Sequence, residues 1–367
     1  LMAKGQKTTK RTQNFWTNFV LIFICVVWMV PVIGILITSF RPSEDIFKTG
    51  WWTVFPHKED VEIDRVVLPE TVDVNGPITY GGKTAMFEEW QRGVQLDDGT
   101  KATWYGNKRT RTLIISQNQW VGFATNLTLK NYQDVLTGKT ITYKDAQGNT
   151  ITRVGNNLGG AFLNSLAVSI PGTIIPILIA AFAAFGFAWL EFPGRNIFFT
   201  IIVALLVVPL QIALVPILQD YVGLGLNGTF LGIWLAHTGF GLPLATYLLF
   251  NYISSLPREL LESAYIDGAS NFTIFTNLIL PLSVPALASF AIFQFLWLWN
   301  DYLVALVFLG EKNQTVTIAV ARLVGEKGQD WHLMTAAAFV SMILPLIVFL
   351  ALQRYFVRGL MAGSVKG

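Results

Sequence analysis

Glu262-Ser263-Ala264-Tyr265-Ile266-Asp267-Gly268-Ala269, followed by Leu280-Pro281, is a polar stretch set between two long apolar runs, Phe230 to Phe250 and Ser283 to Leu309. A structured, charged loop in that setting describes a membrane protein that grips something in the cytosol. Pro257 in the first turn with Glu259 just inside makes a good helix start. Asp267-Gly268 makes a good stop, because glycine accepts the left-handed conformation without steric cost. The spacing predicts a short cytosolic helix over Leu256 to Ile266. Leu260, Leu261, Ala264 and Tyr265 share one face at three- and four-residue spacing, with Arg258, Glu259, Glu262 and Asp267 around it. That stripe needs a partner, either another chain or the membrane surface.

The rest of the chain fits a membrane setting. Of 367 residues 53% are hydrophobic and 13% charged, and the mean hydropathy is +0.50, far from an ordinary soluble domain. A net charge of +3 with dispersed basic residues gives no nucleic-acid surface. Cys25 stands alone, which excludes an internal disulfide framework, and His57, His237 and His332 are scattered, so no metal site or cofactor is expected.

Six apolar runs reach the roughly 17 to 25 residues that a helix needs to cross a bilayer. They are Phe19 to Phe40, Ala161 to Leu190, Ile197 to Gln219, Phe230 to Phe250, Ser283 to Leu309 and Met334 to Phe356. The second is overlong, so its helix tilts or its first turns lie at the interface. If the runs alternate, Lys4, Lys7, Lys10, Arg11, Arg195, Arg258, Arg354, Arg358 and Lys366 fall on one side, which the positive-inside rule makes the cytoplasm. The first run is too long for a signal-peptide core and lacks a small-residue cleavage site, so it reads as a permanent helix. The expected organisation is a cytosolic segment 1–18, a first transmembrane helix 19–40, an extracytoplasmic insert 41–157, a five-helix core 158–356 containing the cytosolic loop 251–282, and a cytosolic tail 357–367. Both termini are then cytosolic.

The insert carries most of the charge. Val61 to Leu68, Thr112 to Ile115 and Thr140 to Tyr143 have strand-like patterning, while Asp97-Asp98-Gly99-Thr100 and Asp145 to Asn149 read as turns. The expectation is a small β-rich module whose balanced charge suits a solvated cap or docking surface more than a dedicated ligand site.

The Glu, small residue, Gly and Leu-Pro spacing resembles the EAA loop of the permease subunits of bacterial ABC importers, with Ser263 where the pattern prefers Ala and Leu278 where it prefers Ile. Phe162-Leu163-Asn164-Ser165-Leu166, Phe192-Pro193-Gly194-Arg195, Trp299-Asn300-Asp301-Tyr302 and the tail from Gln353 are similar to the second permease subunit of maltose-type sugar importers. Within that family Gly50 to Thr53, Gly232 to Pro243 and the enlarged first outer loop are most similar to the alpha-glucoside branch. Most members have a shorter loop, so the piece from about Pro56 to Trp120 departs from the pattern. The resemblance implies an all-α membrane protein with six transmembrane helices plus the β-rich insert. It implies as partners a cytosolic ATPase dimer, a second permease subunit, an extracytoplasmic sugar-binding protein, the sugar substrate and membrane lipid, with no enzyme activity in this chain. ATPase coupling would fall on Leu260, Leu261, Glu262, Ala264, Tyr265, Asp267 and Gly268, and the Gly-rich tail would enter a partner's cleft.

Asp301 stands inside the fifth run with Asn300 beside it, and an ionisable residue there is a functional candidate because an unpaired charge in lipid is costly. Phe290, Gln294, Trp297 and Asp301 recur at helical spacing, forming a stripe of alternating aromatic and polar groups. Rings stack on sugars and polar groups meet hydroxyls, so Gln294, Trp297, Asn300 and Asp301 form a candidate substrate pathway. Polar glue between helices is the alternative. Gly81-Gly82-Lys83-Thr84 is no phosphate loop, because Pro77 stands where that motif requires Gly. The reading is import of alpha-glucosides or related oligosaccharides, with another polyol or a glycosylated osmolyte as the alternative cargo. A secondary transporter would need inverted repeats and several intramembrane carboxylates, and a membrane enzyme would need a convergent polar set.

Overall fold

Long apolar runs with internal backbone hydrogen bonding dictate helices, and the computed structural model is built of them. It describes residues 2–138, 140–144, 150–155, 157–310, 312–327 and 330–362. The chain divides into two compact units, 1–127 and 128–367. Among the described residues, four helices are long and apolar enough to cross a membrane, or six if each of two bent pairs is one span.

The first unit begins with helix α1 (Met2–Ser39), whose apolar portion Asn14–Ser39 is almost bare within the unit. A four-stranded antiparallel sheet follows, from β1 (His57–Val67), β4 (Val94–Gln95), β5 (Lys101–Tyr105) and β6 (Thr112–Val121), in the order β1-β6-β5-β4. β2 (Ile78–Tyr80) and β3 (Lys83–Ala85) form a separate hairpin, followed by the short helix α2 (Phe87–Arg92). Ile78, Trp90, Ala102 and Leu113 are fully buried in its core, and the Trp90 indole N–H donates to the Ile78 and Ala85 carbonyls. Gly99 takes φ +84° in the turn between β4 and β5. On the exposed face, hydrogen bonds from the Asn118 amide and the Lys101 ammonium hold the Asp60 carboxyl below its ordinary value. Bonds from the Thr100 hydroxyl and backbone N–H do the same for Asp98.

The insert expected over 41–157 is divided. The module built around the sheet ends by Leu127. Helix α3 (Lys130–Thr137) packs Tyr132 and Val135 into the helical core with Leu158 and Ala161, and the hairpin of β7 (Thr140–Lys144) and β8 (Thr150–Val154) also belongs to the second unit. Its expected turn, Asp145 to Asn149, lies outside the described residues.

The second unit is helical. It contains α4 (Leu158–Trp189), α5 (Arg195–Ala204), α6 (Leu210–Gly223), α7 (Phe230–Ile253), α8 (Arg258–Ile266), α9 (Asn271–Leu282), α10 (Val284–Trp299), α11 (Leu303–Leu309), α12 (Val316–Lys327) and α13 (Trp331–Ala362). Two expected spans are corrected. The third run bends by 104° between Val207 and Leu210, where Pro209 holds Val208 in an extended conformation and supplies no N–H. The fifth run is not one helix to Leu309. α9 meets α10 at 71°, and α10 stops at Trp299 before α11 begins. α13 continues through Ala362, and 363–367 of the expected tail lie outside the described residues.

Candidate functional site

α8 is anchored from within. Leu261 is 2% exposed and joins Phe185, Ile253, Ile274 and Phe275 in one buried cluster, with Ala264 packed against it. Burying a leucine stabilises this docking by about 1.5–3 kcal/mol. The expected four-residue face is therefore split. Leu261 and Ala264 turn to the chain's own bundle because that apolar surface is adjacent, while Leu260 and Tyr265 stay exposed, and the Tyr265 hydroxyl donates to Asn271 Oδ1 at 2.8 Å. Glu262, placed outside the apolar stripe by its spacing, is exposed. Glu259, Ser263 and Ile266 face outward with it, and Ile266 at 86% exposure is the apolar residue most available to a partner. At the end of α8, Gly268 N–H donates to the Tyr265 carbonyl and Ala269 N–H to the Ala264 carbonyl, both at 3.0 Å. This is the paired closure that uses a left-handed residue, and Gly268 has φ +80°.

The loop is continuous with the bundle. Ser270 caps α9 by accepting from Thr273 N–H, and the middle of α9, Phe275–Ile279, winds as a π-helix. Phe275 stacks on Phe182 at 4.2 Å between ring centroids. The Tyr252 hydroxyl donates to the Leu282 carbonyl, tying the end of α7 to the bend before α10.

At mid-bundle, α4, α7 and α10 meet through two glycines. Gln294 Nε2 lies 3.4 Å from the Gly172 carbonyl, and a Cβ on Gly241 would come within 2.6 Å of the same nitrogen. His237 of α7 is fully buried beside Trp297, ring edge to face at 5.5 Å.

Beyond the end of α10 a polar weave closes the bundle. Asn164 Nδ2 donates to the Gln314 carbonyl at 3.0 Å, and Ser165 Oγ accepts from Val316 N–H at 2.8 Å. Asn313 Nδ2 donates to the Gly228 carbonyl, and Gly228 N–H donates to the Phe308 carbonyl. Asn300 Nδ2 turns back to the Leu296 carbonyl and ends α10. Asp301 then accepts from Val304 and Ala305 N–H groups and starts α11. Side chains of this type compete with helix hydrogen bonds, which is why the apolar run breaks here. A cavity of about 310 Å³ opens beside the break, lined by Trp299, Asn300, Tyr302, Val316, Thr317 and Ser341 among others.

The expected stripe of Phe290, Gln294, Trp297 and Asp301 is thus corrected. The first three lie on α10, but Phe290 and Gln294 are buried in the bundle, and Asp301 lies past the helix end, capping α11. Asn300 alone of the four pathway candidates lines the cavity. Three features escaped the sequence reading: Ile266, the Asn164-Ser165 strap and His237. The last was visible, because a histidine inside the fourth run satisfies the same intramembrane criterion that singled out Asp301. Among the described residues no group of three His, Cys, Asp or Glu side chains could hold a metal ion.

A bundle of bent and straight apolar helices with one amphipathic loop helix docked at its end fits a permease of the ABC-importer type, and similarity to known proteins shows that class. Residues 176–361 match the family described as binding-protein-dependent transport system inner membrane component, and the chain belongs to that family. It is 44% identical over all of both chains to the osmoprotective compounds uptake permease protein of Synechocystis sp.. It is 42% identical to the alpha-glucoside transport system permease protein of Rhizobium meliloti, across 98% of this chain and 99% of that one. The fold matches a chain in the crystal structure of a bacterial ABC transporter that imports the acidic polysaccharide alginate, at 15% identity and a TM-score of 0.58, covering 95% and 98%. The protein is a multi-pass inner-membrane permease subunit of an ATP-driven importer, working with an ATPase and a binding protein; ATP hydrolysis belongs to the ATPase, not to this chain.

Proposed function

We propose that this chain is one of two permease subunits that carry alpha-glucosides or related oligosaccharides into the cell, seated on a cytosolic ATPase dimer. The observation that carries the reading is the end-to-end similarity to the Rhizobium meliloti alpha-glucoside permease. A second reading, import of a glycosylated osmolyte or similar osmoprotectant, is favoured by the equally complete similarity to the Synechocystis permease. The distribution of Lys and Arg supports cytosolic termini and an outer position for the sheet module, where it would meet the binding protein.

In this reading α8 is the coupling helix. Leu261, Ala264, Asp267 and Gly268 fix its position and end. Leu260, Glu262 and Tyr265, together with Ile266, offer the surface that an ATPase cleft would take. The sugar path runs past Asn300 and the nearby Trp297, while Gln294 and Asp301 shape its walls from inside the bundle. The test is ATPase stimulation of the purified complex, with the cognate binding protein loaded with an alpha-glucoside or with a glycosylated osmolyte. Stimulation by the alpha-glucoside supports the first cargo, and stimulation by the osmolyte alone selects the second.

A further inference from the structure

Asp301 touches more of the bundle than any cap requires. Its Oδ1 accepts from Val304 N–H at 3.2 Å and its Oδ2 from Ala305 N–H at 2.8 Å, which fixes the first turn of α11. Its backbone carbonyl accepts from the Thr317 hydroxyl at 2.5 Å, which fixes the first turn of α12. Oδ2 also lies 3.8 Å from Nε2 of His237 on α7, and the two side chains are 8% and 0% exposed. One residue therefore joins the end of α10 to three other helices. Both carboxylate oxygens are already occupied by N–H donors, and the side chain is closed to solvent. A sugar hydroxyl could reach it only by dismantling the cap.

The other end of α10 leads into the loop. α10 has 16 residues, about 24 Å at 1.5 Å per residue, and it connects through α9 and the Gly268 turn to α8. A helix of that length packed on α4, α7 and α13 moves as one body, so a displacement at the coupling helix arrives at Asp301. There it is handed to α11 and α12 through fixed hydrogen bonds.

We propose that Asp301 is a positioning residue, not a sugar ligand: it transmits movement of α10 to the segments α11 and α12 that close the bundle beyond it. The proposal rests on the reading of α8 as the site where the ATPase pushes.

The experiment uses the whole complex, with ATPase subunits, companion permease and sugar-binding protein, in liposomes. Sugar uptake is measured against sugar concentration for wild type, Asp301→Ala, Asp301→Asn and Thr317→Val. Asp301→Ala is expected to lower the maximal rate about tenfold while the half-saturating sugar concentration stays within twofold. Asp301→Asn should recover most of the rate, because its amide oxygen still accepts one N–H. Thr317→Val leaves the carboxylate cap intact and should lower the maximal rate about threefold. Adding it to Asp301→Ala should bring little further loss if both act through one joint. A half-saturating concentration raised tenfold or more at an unchanged maximal rate would make Asp301 a cargo ligand and overturn the proposal. Should Asp301→Ala fail to assemble, a wild-type rate in Thr317→Val overturns it. A wild-type complex without ATP-dependent uptake would instead sink the parent reading, separately from the role of Asp301.

Discussion

Gly268 gives the sharpest test of how the loop is built. Its φ of +80° places it in the left-handed region, and no atom lies within 4 Å of where a Cβ would sit. The cost of a side chain here is therefore backbone strain and not crowding. For alanine that strain is about 1–2 kcal/mol, a factor of about 5–30 in the ratio of closed to open turn. Valine, branched at Cβ, should cost more, and asparagine, which visits this region more readily, should cost least. Opening the turn breaks the Gly268-to-Tyr265 and Ala269-to-Ala264 bonds and frees the end of α8. The assay is ATP-dependent uptake by the reconstituted complex, alongside membrane levels of the chain. Uptake should fall in the order wild type, Asn, Ala, Val, with insertion unchanged in all four. Wild-type uptake in both Gly268→Ala and Gly268→Val would refute the reasoning. A defect in Val with none in Ala would refute the part that assigns the cost to the backbone.

Three further outcomes follow from the packing and charge. Leu261→Ala should destabilise the docking of α8 by about 2–5 kcal/mol, seen as faster hydrogen exchange in residues 258–266, whereas Leu260→Ala on the exposed side should change it by about 0.5 kcal/mol or less. Gly241→Ala places a methyl against Gln294 and should cost about 1–3 kcal/mol as a lowered midpoint of thermal unfolding in detergent, with Gln294→Ser restoring part of the loss. In the sheet module, Asp60 and Asp98 are held below their ordinary value of 3.8, so their contribution is complete above that pH and is lost as pH falls through the lower folded values. Protection factors in β1, β5 and β6, the exchange rates taken relative to the intrinsic rate at each pH, should therefore fall below about pH 4 and stay flat from about pH 6 to 8, and Asp60→Asn should reduce the acid step.

The sequence made some of this legible for physical reasons. Apolar runs declare helices because a backbone in lipid must bond to itself, so α4, α7 and α13 appear close to their expected positions. The end of α8 was readable because Asp267-Gly268 carries its own conformational preference. Breaks were harder. Hydropathy runs unbroken through Val208-Pro209 and through Asn300-Asp301, and only the side-chain chemistry at those points tells that the helix stops. Helical spacing likewise put Asp301 in register with Gln294 and Trp297, but spacing holds only while the helix lasts, and it ends at Trp299. The direction of Leu261 was illegible for another reason. An apolar face on a short helix looks the same whether it meets its own bundle or a partner, and only the three-dimensional position of Ile253 and Phe275 decides.

The central claim, that this chain passes an alpha-glucoside through the membrane at the expense of ATP, is tested most directly by uptake into proteoliposomes. The complex is reconstituted with ATP inside and the sugar-loaded binding protein outside, and accumulation of a radiolabelled alpha-glucoside is followed. The account predicts accumulation that requires internal ATP, the ATPase subunits and the binding protein together. Uptake by this chain without the ATPase, driven by an ion gradient, would contradict it.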